Sequence, residues 1–264
     1  MRFFKKAVKF IFGISNTKIV SDIFRKFFKT KSYIEETAQK EKSINFYKEF
    51  IKEGDICFDV GANMGSRIEV FLNLKAKVIA VEPQKGCIKY LRGKYKDRII
   101  AINKAVGAAE ENMVMYISKY SSTLSSLSKD WIDAVKADRY KDVSWNKKEM
   151  VEVTTINTLI LKYGIPSFIK IDVEGYELEV LKGLNYPVKM LSFEYTLPEQ
   201  LQKTIDCLQI LMNIDEAYEC NYSLSEDMKY QNNEFINIGE MINFIQTNKI
   251  INSSVGDIYV RKIL

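Results

Sequence analysis

The sequence predicts an α/β fold with a mostly parallel sheet flanked by helices, on three observations. Between Gly54 and Arg261, short apolar runs alternate with helical stretches. The first run, Ile56–Val60, passes directly into the glycine-bearing turn Asp59–Gly65, and the second, Lys77–Val81, ends on the acidic residue Glu82. Strands joined in this way by helices form right-handed crossover units, and those build parallel sheets.

Residues 1–53 read as a basic, amphipathic helical extension and residues 54–264 as one domain. At roughly 100° per residue, Phe3, Phe4, Ala7, Val8, Ile11 and Ile14 share one helical face, opposite Arg2, Lys5, Lys6 and Lys9. After a break around Gly13–Asn16 the pattern repeats, with Ile19, Val20, Ile23, Phe24, Phe27 and Phe28 on one side. Residues 1–31 hold nine Lys and Arg against Asp22 alone, a net +8, so the chain's +5 leaves −3 for residues 32–264. Such a segment suits an anionic membrane surface, and equally a helical lid or dimerisation arm packed on protein. A further helix is expected over residues 33–53, ending at Gly54.

In the domain, helices follow at Ser66–Leu74 and Lys85–Tyr95, and a third strand at Arg98–Ile102. Met113–Ile117 and Val151–Thr155 read as extra strands around the Ser-rich loop Ser121–Ser128. Phe168–Val173, Met190–Tyr195 and Ala217–Tyr222 resume the alternation, with helices near 175–184 and 198–212. A helix at Ile236–Asn248 and a strand at Asp257–Arg261 close the chain.

Composition narrows the chemistry. Cys57, Cys87, Cys207 and Cys220 lie far apart with no CxxC pair, which argues for reduced thiols rather than a zinc site or disulfide framework. The chain contains no histidine, which removes Ser-His and Cys-His pairs and the commonest general base. No apolar stretch approaches bilayer length, and Lys9 interrupts what would be a signal-peptide core, so a cytoplasmic protein is expected. The mildly acidic body argues against nucleic acid as a partner.

The turn Asp59-Val60-Gly61-Ala62-Asn63-Met64-Gly65 lets the backbone approach a ligand, and the next helix presents free N–H groups at its start. Glu82, 23 residues after Asp59, stands where a carboxylate accepts hydrogen bonds from both ribose hydroxyls of a nucleoside cofactor. Dinucleotide proteins read G-x-G-x-x-G, but here Gly61 and Gly65 flank Asn63, and Ile68 follows in the helix. A site without a pyrophosphate fits better, which favours S-adenosylmethionine over a nicotinamide-dependent oxidoreductase.

The stretch Phe58–Gly65 resembles the first motif of the FkbM family of methyltransferases. Val81-Glu82-Pro83, Asn103-Lys104-Ala105-Val106-Gly107, Ser121-Ser122-Thr123-Leu124 and the long block Phe168–Gly183 are similar in the same order, with Glu194 ending the next strand. The resemblance spans about residues 54–196. It implies a Rossmann-like class I methyltransferase fold with a seven-stranded sheet, and O-methylation of a hydroxyl on a small molecule, glycan or lipid intermediate. It also implies cofactor contacts from Asp59, Gly61, Asn63, Gly65, Glu82 and Ala105. Two departures stand out: Gln84 replaces a common Asn or Asp, and Tyr195-Thr196 follow Glu194 where a His is often found.

Lys170, Asp172 and Glu174 alternate at the end of one strand and Glu194 ends its neighbour, making these four the catalytic candidates. Asp172, Glu174 and Glu194 would hold one carboxylate as a base of raised pKa, or bind a hard divalent cation such as Mg²⁺ or Mn²⁺. The competing structural role is capping of the helix near Gly175, for Glu174 above all. A non-catalytic cofactor- or membrane-binding protein is the functional alternative. Acceptor specificity is expected in the Ser121–Asn146 insertion, through Trp131, Tyr140 and Trp145, and in the arm, which also offers a surface for homo-oligomer formation.

Overall fold

In a computed structural model of the chain, the structure describes residues 36–137, 139–247 and 255–263. The chain divides into two compact units, Met1–Asn45 and Phe46–Leu264. In the first, residues 36–45 are helical; the basic arm 1–31 lies outside the described residues.

The second unit carries an eight-stranded sheet. Its strands in chain order are β1 (Ile56–Val60), β2 (Lys77–Val81), β3 (Ile99–Ile102), β7 (Phe168–Ile171), β8 (Met190–Thr196), β9 (Tyr218–Tyr222), β10 (Ile236–Asn237) and β11 (Val255–Lys262). Across the sheet they stand β10-β9-β11-β8-β7-β1-β2-β3. β3, β2, β1, β7 and β8 pair in parallel, while β11 inserts antiparallel between β8 and β9. This is the class I methyltransferase arrangement expected above. The count differs by one strand, because Ile236–Asn237 pairs with Glu219–Cys220 at the edge before the terminal helix starts. Asn237 explains the later start: its side chain accepts the Glu240 N–H at 2.9 Å and caps the helix at Ile238 rather than at Ile236.

The crossovers are α1 (Ser66–Asn73) and α2 (Lys85–Tyr95), then α4 (Ile156–Tyr163), α5 (Glu177–Lys182), α6 (Leu201–Ile214) and α7 (Ile238–Gln246). Between β3 and α4 the chain builds a second, three-stranded sheet, β4-β6-β5, from Ala105–Val106, Lys147–Thr154 and Glu111–Ile117. Helix α3 (Lys129–Ala137) follows the Ser-rich loop. Trp131 and Trp145, expected above to take part in acceptor specificity, are buried with Ile132 and Val135 in a small core of their own. Tyr140 packs half-buried against that core. An indole costs too much exposed apolar area to leave in water when a partner is near.

The main core lies on the central strands, where Phe58, Ile169, Ile171, Leu191 and Phe193 are fully buried. Burial of each such side chain contributes roughly 1.5–3 kcal/mol. Under the opposite end of β7, Phe46, Tyr47 and Phe50 pack edge-on with Phe71, Phe168 and Tyr259. The ends of β1, β2, β7 and β8 that remain uncovered are the carboxyl ends, where open parallel sheets bind ligands.

Candidate active site

A cavity of about 250 Å³ opens at those carboxyl ends. Its wall includes Asp59 at the end of β1, Gly61 and Asn63 just after it, Glu82 after β2 and Ala105 of β4. Lys170, Asp172 and Glu174 enter from β7 and Glu194 from β8. Of the ten residues singled out in the sequence, only Gly65 stands outside the lining. A β-carbon on Gly65 would meet Leu91, Tyr95 and Ile68, so it faces helix α2 rather than the cavity.

Close backbone approach shapes the first turn. Gly61 has φ +83°, and a β-carbon there would fall 1.8 Å from the Asp172 carbonyl oxygen. Any side chain would force β1 and β7 apart where their loops line the cavity. Asn63, also left-handed at φ +44°, donates its backbone N–H to Glu82 Oε2 at 2.9 Å. The Gln84 N–H donates to Glu82 Oε1 at 2.7 Å, which fixes both oxygens of a side chain only 2% exposed. Burial pushes the Glu82 carboxyl up to about 7, against the pull of those two N–H groups.

Ser122 accounts for the short serine motif. Its hydroxyl donates to Asn63 Oδ1 at 2.9 Å and its carbonyl accepts from Gln84 Nε2 at 3.0 Å. Gln84 thereby ties the Ser-rich loop to the end of β2. Neither contact was evident from sequence, because serine in a loop signals only a turn.

On the other side of the cavity, Lys170 Nζ is buried, 2.9 Å from Asp172 Oδ2 and 3.4 Å from Asp257 Oδ1. Burial alone would lower its proton affinity, but Asp172 and Asp257 hold it well above the ordinary lysine range. Lys170 is thus a fixed cation. Asp59 is 3% exposed and its Oδ2 has no hydrogen-bond partner among the described residues. Burial raises it to about 6, opposed by Lys170 and Arg67.

Asp172, Glu174 and Glu194 are brought together as expected, each offering an oxygen within 4.8 Å of the others. Burial, then the Asp172 charge, push both Glu174 and Glu194 well above the usual carboxylate range; Glu177 adds to both, and Glu174 adds to Glu194. Carboxyl groups brought this close can titrate in coupled steps.

The turn carrying Glu174 is held by other residues. Glu174 and Gly175 are both left-handed, φ +54° and +85°. Glu177 Oε1 accepts the N–H groups of Val173 and Gly175 at 3.1 and 3.2 Å, and the Ser126 hydroxyl donates to the Glu174 carbonyl at 2.6 Å. Helix α5 starts at Glu177 with no side-chain cap, so Glu174 does not take the capping role weighed for it, and Glu177 holds the turn before the helix instead. Glu174 is left facing the cavity. Arg67 and Glu226, which pair with each other on the same wall, were not foreseen. Nothing in a single arginine at the second position of a helix marks it as buried.

The cavity suits a nucleoside with a polar tail: a clamped carboxylate at one end, and at the other a buried carboxylate oxygen with nothing to accept from. Solved structures similar to the chain include the precorrin-6y C5,15-methyltransferase from Geobacter metallireducens, at 10% identity over 85% of this chain and 86% of that one, TM-score 0.44. A TehB-like SAM-dependent methyltransferase from Corynebacterium glutamicum is 9% identical over 84% and 88%, TM-score 0.42. The plantazolicin methyltransferase BpumL, in complex with S-adenosylhomocysteine and a substrate analogue, is 10% identical over 97% and 94%, TM-score 0.43. A search of curated proteins returned no match. The methyltransferase FkbM domain model matches residues 59–224, from the first cavity residue of β1 to the end of β9. The chain belongs to the FkbM family of S-adenosylmethionine-dependent methyltransferases.

Proposed function

We propose that the chain O-methylates a hydroxyl of a glycan, glycolipid or small-molecule intermediate. The observation that carries this reading is the convergence of Asp172, Glu174 and Glu194 at the mouth of the cofactor cavity, in a chain with no histidine. The cofactor supplies an electrophilic methyl group on a sulfonium. The protein's part is then alignment and proton removal.

Glu82 holds the ribose end and Asp59, Gly61, Asn63 and Ala105 shape the rest of the cofactor wall. An alcohol binding near the carboxylates gives its proton to the Glu174–Glu194 pair while its oxygen takes the methyl group and the sulfonium becomes a neutral thioether. A carboxylate lifted by burial and like charge is a stronger base than one in water, which suits it to an unactivated hydroxyl. Lys170 stays an ammonium, paired with Asp172 Oδ2 at 2.9 Å, and does not compete for the proton.

Asp172, Glu174 and Glu194 also have the donor set of a hard divalent cation. We favour the shared proton, because the Lys170 ammonium already holds Asp172 Oδ2 at 2.9 Å and would repel a second cation. The acceptor classes suit an enzyme at the cytoplasmic face of a membrane, with residues 1–31 as a peripheral contact to anionic lipid. Among the described residues no helix is long and apolar enough to cross a membrane.

The test is transfer of label from methyl-labelled S-adenosylmethionine to a panel of polyhydroxylated acceptors, sugar nucleotides and lipid-linked glycans included. Label is expected as an ether stable to mild base. Formation of labelled amines or carboxylate esters instead would overturn the hydroxyl reading.

A further inference from the structure

Arg67 sits in the first turn of α1 and is only 7% exposed, yet its side chain lines the same cavity as Asp59 and Glu82. A guanidinium buried on a ligand wall needs a partner of opposite charge. Here that partner is Glu226, which reaches Nη2 from the loop after β9 and whose own side chain is 68% exposed. The Nε–H, by contrast, is buried and has no hydrogen-bond partner among the described residues.

Those two groups lie along one edge of the guanidinium, the edge that takes a carboxylate through two parallel hydrogen bonds. Glu226 uses half of it. Close enough to feel the Arg67 charge is Asp59, whose Oδ2 is likewise buried and unpartnered. One wall therefore offers an orphaned donor beside a cation and an orphaned acceptor on an anion. The group that answers both is a zwitterion, an ammonium and a carboxylate on one carbon. Adenosine carries neither; the amino-acid tail of S-adenosylmethionine carries both.

We propose that Arg67 anchors the carboxylate of the cofactor's amino-acid tail, with Asp59 taking its ammonium, and that Glu226 competes with that carboxylate for the same guanidinium edge. The proposal rests on the reading of the cavity as an S-adenosylmethionine site and assigns its second end. Glu82 then holds the ribose, Arg67 and Asp59 hold the tail, and the sulfur is strung between them toward Glu174 and Glu194. The bound carboxylate wins because it fills both N–H groups, where Glu226 fills one from a solvated loop. Glu226 leaves the edge as the cofactor enters, so the loop after β9 moves with cofactor occupancy.

Calorimetry with two ligands tests this on the full-length protein: S-adenosylhomocysteine, and 5′-methylthioadenosine, which keeps the nucleoside and thioether but lacks the tail. Charge-assisted hydrogen bonds of this kind translate into about 10- to 100-fold in affinity. Wild type should prefer S-adenosylhomocysteine by at least that factor. Arg67→Lys, which keeps the charge but loses the planar edge, should lose about tenfold or more for S-adenosylhomocysteine and nothing for methylthioadenosine. Glu226→Gln, on an exposed side chain, should bind S-adenosylhomocysteine more tightly and methylthioadenosine unchanged. Equal losses for both ligands in Arg67→Lys would mean that Arg67 only supports the fold, and a Glu226→Gln variant with unchanged tail preference would remove the competition. An Arg67→Lys variant that keeps the wild-type preference sinks the anchor alone, as would an edge that serves an acidic acceptor instead. Wild type that binds neither ligand sinks the cofactor reading on which the anchor depends.

Discussion

A β-carbon added to Gly175 would lie 2.3 Å from the indole of Trp131, so the turn that presents Glu174 is seated directly on the core of the Ser-rich insertion. The same glycine holds φ +85°, a conformation that side chains other than hydrogen enter at a cost. Strain and overpacking add here. Each is worth roughly 1–3 kcal/mol, so Gly175→Ala should lower the melting temperature by about 5–15 °C. Thermal unfolding by circular dichroism reads this directly. A variant that melts like wild type would mean that the turn and Trp131 are not packed as described.

Glu82 gives a pH signature of two opposite signs. Its folded value of about 7 lies above the ordinary 4.5, raised by burial. Its contribution to stability is therefore fully present below about 4.5 and lost as pH rises through about 7. A protonated carboxyl gives up one accepting oxygen to its own O–H, so two ribose hydroxyls call for the ionised form, and S-adenosylhomocysteine should bind roughly tenfold more weakly at pH 6 than at pH 8. Titration calorimetry across that range is the check. Glu82→Gln should bind weakly throughout and flatten the slope; an equally steep slope in the variant would assign it elsewhere, Asp59 first.

The strands and most of the cavity lining were legible in the sequence because each leaves a local trace. Buried parallel strands read as unbroken apolar runs, and Asp59–Gly65 followed by Glu82 fixes a turn and a strand end without tertiary information. What escaped depends on distant pairings. Helix α3 was not foreseen, and whether Trp131 is core or a specificity surface depended on its partners Tyr140 and Trp145, which lie beyond a loop. Helix α4 was hidden behind Thr155, which reads as the end of a strand but caps the helix by accepting the Thr158 N–H at 3.1 Å. Ser122 on Asn63 and Arg67 on Glu226 span 59 and 159 residues, and no periodicity reports such contacts.

Glu177 tests whether the turn is positioned or merely adjacent. Its Oε1 accepts two backbone N–H groups, a task that an amide oxygen can also perform. Glu177→Gln should therefore retain activity within a fewfold factor. Glu177→Ala leaves the Val173 and Gly175 N–H groups without that acceptor. It should lower kcat by about tenfold or more, as expected when a reacting group is misplaced, while S-adenosylhomocysteine affinity changes little. Equal activity of the two variants would show that the Glu174 turn holds itself.

The last prediction separates proton from metal at the three carboxylates. If Glu174 and Glu194 share the proton taken from the acceptor, kcat/KM should rise with pH along a limb above the usual carboxylate range. Both are lifted by burial and by neighbouring negative charge, and only the ionised form accepts a proton. Glu174→Gln removes one of the charges that lift Glu194, so its residual activity should show that limb displaced to lower pH. Asp172→Asn should cost about 100-fold or more, because among the described residues it leaves the buried Lys170 cation paired with Asp257 alone. EDTA should leave turnover intact in all of them. Loss of activity on chelation, restored by Mg²⁺ or Mn²⁺, would replace the proton by a cation bound to the same three side chains. Full activity in the amide variants at all three positions would remove this cluster from the chemistry altogether.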